Sequence, residues 1–193
     1  MPENHTNELR DIAFRKIGRN VVNLQRFERM LKLIIVRSDV QGFASELARV
    51  HHDKAKNIDR QSLGLLVHEF FKTVYSNGPS NDDPVNEFDE IGMSLSFRIE
   101  SDEESINNRK RELVELVEER NLLIHHWLAD LDFDLVEDCE KLISLLDEQD
   151  NRLKPHYQSL MRLLGNIHEA QQRLSKQLEN HLRESLRESG DSD

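Results

Sequence analysis

The chain holds one cysteine, Cys139, so no intrachain disulfide staples the fold, which agrees with a reducing compartment. Cys139 falls on an apolar position of a predicted helix, where packing is its expected role. Turn formers are scarce as well. With 7 Gly and 4 Pro the chain does not read as a β-sandwich or barrel, folds that need frequent turns. The longest early apolar run, Leu33 to Val36, is far short of the roughly 20 residues that span a bilayer. No early stretch has signal-peptide form, and the expectation is a cytoplasmic protein with no membrane segment. A Gly-rich phosphate loop, a CxxC pair, an HExxH helix and a nucleophile elbow are all missing, so neither a metal nor a cofactor site is expected. Also missing is an excess of basic charge: the net charge of -11 argues against a general polyanion binder.

What is present favours helices. The sequence is 33% charged and 37% hydrophobic, and 193 residues suffice for one good core. Leu9, Ile12, Ala13, Ile17, Val21, Leu24, Phe27, Leu31, Ile34 and Ile35 recur at i, i+3, i+4 and i+7, which predicts a long first helix ending near Val36. The pattern stops at 38–42. A looser helical stretch follows over 44–58, and its adjacent His51 and His52 point to different faces, which prevents a helical chelate. Ser62 to Tyr75 reads as a helix with Ser62 as N-cap. The Gly, Pro and Asx residues of 76–84 predict a loop. Ile91, Met93, Leu95, Phe97 and Ile99 alternate with polar neighbours, as in a half-buried strand, with Val85 to Phe88 as its candidate hairpin partner. Ser101 and Glu104 form a capping box that opens a helix running to about Leu128. Asp130, Asp132 and Asp134 resemble the opening of a calcium loop, but Leu135 and Lys141 stand where Gly and Glu are wanted, so they read as a connector. A fourth helix is expected to end near Asp150, and Pro155 to open a long last one.

Charge is unevenly spread. Residues 1–60 carry 12 basic and 8 acidic groups, the remainder 14 and 29. Arg10, Arg15, Lys16, Arg19, Arg26, Arg29 and Lys32 concentrate on the first helix, where the simplest reading is a solvated face pairing with acidic helices.

One cation interrupts a clean apolar stripe. Ile106, Leu113, Leu116, Val117, Leu123, Ile124, Trp127, Leu128 and Leu131 share a broad helix face, and Arg120 lies near its middle. A guanidinium there needs a carboxylate such as Glu28 or Glu69, a wet cleft, or a second chain. Asn121 and His125 follow it, four residues apart and on one side of an ideal helix.

Arg120, Asn121 and His125 on an amphipathic, acid-led helix resemble the signature of the HEPN superfamily of small helical proteins, with further support from Asn20, Gln25, Glu28 and Lys32 on the first helix. The likeness covers about 9–146. A second Arg-to-His spacing, Arg162 to His168, is followed by Leu163 and Leu164 rather than by a polar residue. The resemblance implies an all-α HEPN-like bundle of four to five helices, to which the alternation and the last apolar row add a short β-hairpin insertion near 85–100 and a long C-terminal helix. It also implies a metal-independent endoribonuclease, acting as a homodimer with the cleft between subunits, in the manner of the toxin of a toxin–antitoxin or phage-defence system. An antitoxin or defence component is then an expected protein partner, and RNA the substrate. In several such toxins a Tyr lies two residues past the His; here that residue is Trp127, which sets this chain apart from the nucleotidyltransferase-regulated members.

Metal-independent RNA cleavage uses the substrate's 2'-OH as nucleophile. It needs a group that exchanges protons near neutrality and a cation to hold the phosphorane charge, roles that fit His125 as general acid or base and Arg120 as phosphate clamp. Asn121 would orient the ring or the phosphate. On a straight α-helix Arg120 and His125 lie roughly 140° apart, so the site requires a sweeping Arg side chain, a bend, or a second subunit. The domain expectation is a helical domain over 1–154, a long helix over 155–188 that packs on the bundle or a partner, and a disordered tail over 189–193. The alternative function is a non-enzymatic helical interaction or dimerisation module that docks a protein partner.

Overall fold

A computed structural model describes residues 2–43, 45–75, 92–127 and 131–190. The order is α1 (Pro2–Ser38), β1 (Asp39–Phe43), α2 (Leu47–Asp59), α3 (Leu63–Val74), β2 (Gly92–Ser96) and α4 (Glu103–Leu122). A π-helical turn (Leu123–Trp127) and α5 (Val136–Gly190) complete it. The protein is an all-α bundle with a small two-stranded sheet and a long C-terminal helix. No helix among the described residues is long and apolar enough to cross a membrane.

The core forms where the predicted apolar faces meet. Phe27, Leu31, Ile34 and Ile35 of α1 are fully buried against Leu66 and Phe70 of α3, Leu113 of α4, and Leu142, Leu146 and Ile167 of α5. Truncating one such side chain, Phe70 for example, costs about 3–5 kcal/mol by transfer and cavity effects. The most extensive helix pairing is between α1 and α5. Its seam carries polar groups at core spacing. Asn20, 1% exposed, donates from Nδ2 to the Leu146 carbonyl at 2.7 Å and to Gln149 Oε1 at 3.0 Å. Around it Lys16 and Arg19 pair with Asp147, and Arg19 and Lys154 with the buried Asp150. Hydrogen bonding from Lys16 holds the Asp147 carboxyl below its ordinary range. Burial pushes Asp150 upward, but Lys154, Arg19 and Asn23 outweigh it and hold this carboxyl low too.

The basic residues of α1 thus act largely as read from the sequence. Arg10 reaches Asp134, Lys16 and Arg19 reach Asp147, and Lys32 pairs with Glu28 and Asp59. Cys139 is buried, its Sγ 3.5 Å from the Phe133 carbonyl, and desolvation raises its thiol pKa.

Three local expectations are corrected. The antiparallel partner of β2 is β1, with Val40 opposite Leu95, so the break after α1 is itself a strand. Val85 to Phe88, the expected partner, lies outside the described residues, as does the predicted loop over 76–84. The N-cap of α4 is Asp102, whose carboxylate accepts from the Ser105 N–H at 2.8 Å, rather than Ser101. An Asp there also complements the helix dipole, with Glu103 and Glu104 in the first turn. Finally, Pro155 does not open a helix but lies inside α5, which runs unbroken through 154–155 for 55 residues. Packing of the rows on either side against the core, Leu153 before and Leu160 after, offsets the cost of a proline at this position. Residues 191–193, the end of the expected tail, are not among those described.

Candidate functional site

Arg120 closes the last turn of α4, where a cation complements the carbonyl end of the helix. It is half-buried, and with Val21, Leu24, Gln25, Glu28, Leu63 and Ile124 it lines a recess of ≈ 50 Å³ between α1, α3 and α4. Its Nη1 donates to Asn121 Oδ1 at 3.0 Å. Neither carboxylate expected as its partner takes it: Glu28 pairs with Lys32 at 3.0 Å, and Glu69 accepts from Thr73. Among the described residues no carboxylate lies within 4.0 Å of Arg120.

His125 stands on the π turn. Leu123, fully buried, and Trp127, half-buried against the core, pin the turn at its two ends. Between these anchors Ile124, His125 and His126 are exposed. A π turn closes from i to i+5, so it takes one more residue than an α turn and draws residues five apart toward one another around the axis. Such turns are rare, and often coincide with functional sites.

The sequence-derived residues are therefore brought together in part. Arg120 and Asn121 are joined by a hydrogen bond, while His125 bonds to neither and faces solvent one turn further on. Asn121 orients the guanidinium rather than the imidazole. Of the supporting residues on α1, Gln25 and Glu28 line the recess, Lys32 is committed to Glu28 and Asp59, and Asn20 belongs to the α1–α5 seam. The second Arg-to-His pair, Arg162 and His168, lies on the exposed side of α5, with His168 3.0 Å from Gln172.

Two polar residues of α5, Gln149 and His156, escape the sequence reading, which takes Asn20 of α1 only as support for the resemblance and not as part of a seam. Asn20 follows Ala13 and Ile17 and precedes Leu24 and Phe27 at core spacing; Gln149 and His156 do the same between Leu146, Leu153 and Leu160. A polar residue inside a core repeat was the available signal, the one that singled out Arg120. His156 faces a groove lined by Glu112, Glu115, Leu116, Glu119, Asn151, Arg152 and Pro155. Burial lowers its pKa, against the opposing pull of Glu112 3.9 Å away.

Fold and site together define a helical bundle that presents a guanidinium with no carboxylate partner among the described residues, one turn before an exposed imidazole. No family model, curated protein or solved structure matches the chain.

Proposed function

We propose that the protein is an HEPN-like, metal-independent endoribonuclease that works in the cytoplasm as a homodimer, the toxin or effector of a toxin–antitoxin or defence system. The observation that carries this reading is Arg120, oriented by Asn121 and paired with no carboxylate among the described residues, one turn before an exposed His125 on a π turn. A guanidinium engaged with an internal acid would have no capacity left for a phosphate; this one retains its outer donors. His125 supplies the proton transfers to and from the 2'-OH and the leaving 5'-oxygen, and Arg120 stabilises the phosphorane. A two-fold axis that sets the π turns of two subunits face to face would place both residue pairs around one strand of RNA.

The test is incubation of total RNA with the purified protein in the presence of a metal chelator, beside Arg120→Ala and His125→Ala. Cleavage by the wild type, lost by at least about a hundredfold in either variant, is the expected outcome. Intact RNA in all three samples, with folded proteins, overturns the reading. A second reading, a non-enzymatic module that docks a protein through its last helix, draws on the distal part of α5, where the side chains described beyond Leu174 are exposed, Leu178 by 41%. It predicts partner capture that survives Arg120→Ala and fails on removal of α5 beyond Leu174.

A further inference from the structure

A broad depression lies away from Arg120, between the C-terminal half of α1 and α2. It has a volume of ≈ 480 Å³. Leu33 and Val36 of α1 and Ala55 and Ile58 of α2 form its floor, and Arg29, Lys32, Arg37 and Lys56 line it at the rim together with His51 and His52. Asp59 is the one carboxylate among the lining residues, and it is already engaged by Lys32. Arg29 and Lys56 are exposed, and among the described residues neither they nor Arg37 has a carboxylate partner. In a chain of net charge -11 this is a local concentration of uncommitted cations around an aliphatic trough.

We infer that this groove docks an acidic amphipathic helix of a protein partner. An apolar stripe at i, i+3, i+4 and i+7 would lie on Leu33, Val36, Ala55 and Ile58, and carboxylates flanking the stripe would meet Arg29, Arg37 and Lys56. The charge sign selects the partner: a basic or neutral helix fills the trough but leaves the rim cations uncompensated. The floor selects against a nucleic acid strand. Single-stranded polynucleotides gain affinity chiefly by stacking bases on large aromatic rings, and no Phe, Tyr or Trp is among the described residues that line this groove, whose only rings are the imidazoles of His51 and His52. The chain's overall negative charge opposes the approach of a long polyanion, whereas a short acidic helix repays that repulsion with buried apolar area. The inference is independent of the nuclease reading, since none of the lining residues belongs to the Arg120 recess except through the Glu28–Lys32 pair.

The test uses three synthetic peptides with a fluorescent label: a helix with a Leu stripe flanked by Glu, a peptide of the same composition with the stripe broken, and the Leu-stripe helix with Lys for Glu. Labelled oligouridine is the fourth probe. Fluorescence anisotropy is read on the full chain and on the double variant Arg29→Glu/Lys56→Glu. Both positions are exposed, and circular dichroism verifies the fold of the variant. Expected is saturable binding of the acidic striped helix, weaker by at least about tenfold for the broken stripe and for the double variant, with the Lys peptide preferring the variant. Equal binding of the broken stripe, indifference to the charge reversal, or no saturable peptide binding overturns the inference. So does oligouridine binding that the double variant alone abolishes, which assigns the groove to RNA.

Discussion

Glu28 spends its carboxylate on Lys32, one turn along α1 and 3.0 Å away, although it also lines the recess that holds Arg120. The acid placed to neutralise Arg120 is thereby engaged elsewhere on its own helix. A guanidinium that bridges two helices through a buried pair costs about 3–5 kcal/mol to remove, because its partner is left charged and dry. Among the described residues the Arg120 guanidinium has only its bond to Asn121. Replacing Arg120 by Ala should therefore lower stability by less than about 1 kcal/mol, read as a shift in the urea midpoint at unchanged m-value. A loss above about 3 kcal/mol would reassign the residue to the scaffold and remove the motive for the catalytic proposal.

The α1–α5 seam should respond in the opposite way. Asn20 satisfies the Leu146 carbonyl and Gln149 Oε1 in a site where neither can reach water. Asn20→Ala removes both donors and leaves a small void, for a cost of roughly 2–4 kcal/mol. Urea denaturation measures it directly. A variant within about 0.5 kcal/mol of the wild type would mean that the Asn20 side chain contributes no net stabilisation to the seam.

These two polar residues show what the sequence makes legible and what it does not. Periodicity located α1, α3, α4 and the two halves of α5, because each carries an apolar row that must be buried. It also drew attention to Arg120, a cation inside such a row. The same rule applied to Asn20 and Gln149 finds the seam, yet amides are common on helix surfaces: Gln149 passes unremarked, and Asn20 reads only as support for the resemblance. Strand pairing was illegible for a different reason: β1 and β2 are separated by two helices, and nothing local in Asp39–Phe43 specifies Gly92–Ser96 as its partner. Nor does composition announce a π turn. Its widening at Leu123–Trp127 depends on where Leu123 and Trp127 find the core, a tertiary fact.

His156 gives the fold a pH dependence above the carboxylate range. Its native pKa is depressed by burial, so between that value and about 6.5 the unfolded chain binds a proton that the native chain refuses. Stability from this residue is complete above about pH 6.5 and declines as the pH falls toward the native pKa. Asp147 and Asp150, with native pKa values below the ordinary 3.8, lose their contribution only under more acid conditions. Thermal melts at intervals from neutral to mildly acid pH should show a falling Tm in the wild type and a flatter profile in His156→Gln. Parallel profiles for the two proteins would show that the ring is not the titrating group.

Pro155 offers the remaining test, because it occupies an interior position of α5 that an isolated helix would reject. A proline there removes the N–H that would bond to the Asn151 carbonyl, and its ring crowds that carbonyl, at a cost of about 3 kcal/mol relative to Ala. It is exposed on the helix surface at the edge of the groove that contains Glu112, Glu119 and His156. No core packing is therefore lost with the ring. Pro155→Ala restores one backbone hydrogen bond and relieves the crowding, and should stabilise the protein by roughly 1–2 kcal/mol, less than the full propensity difference because Ala frees the unfolded chain. A rise in the urea midpoint at constant m-value is the expected readout. A fall would show that α5 is shaped by its proline so that the seam before it and the row from Leu160 onward can both reach the core, and that a straighter helix cannot serve both.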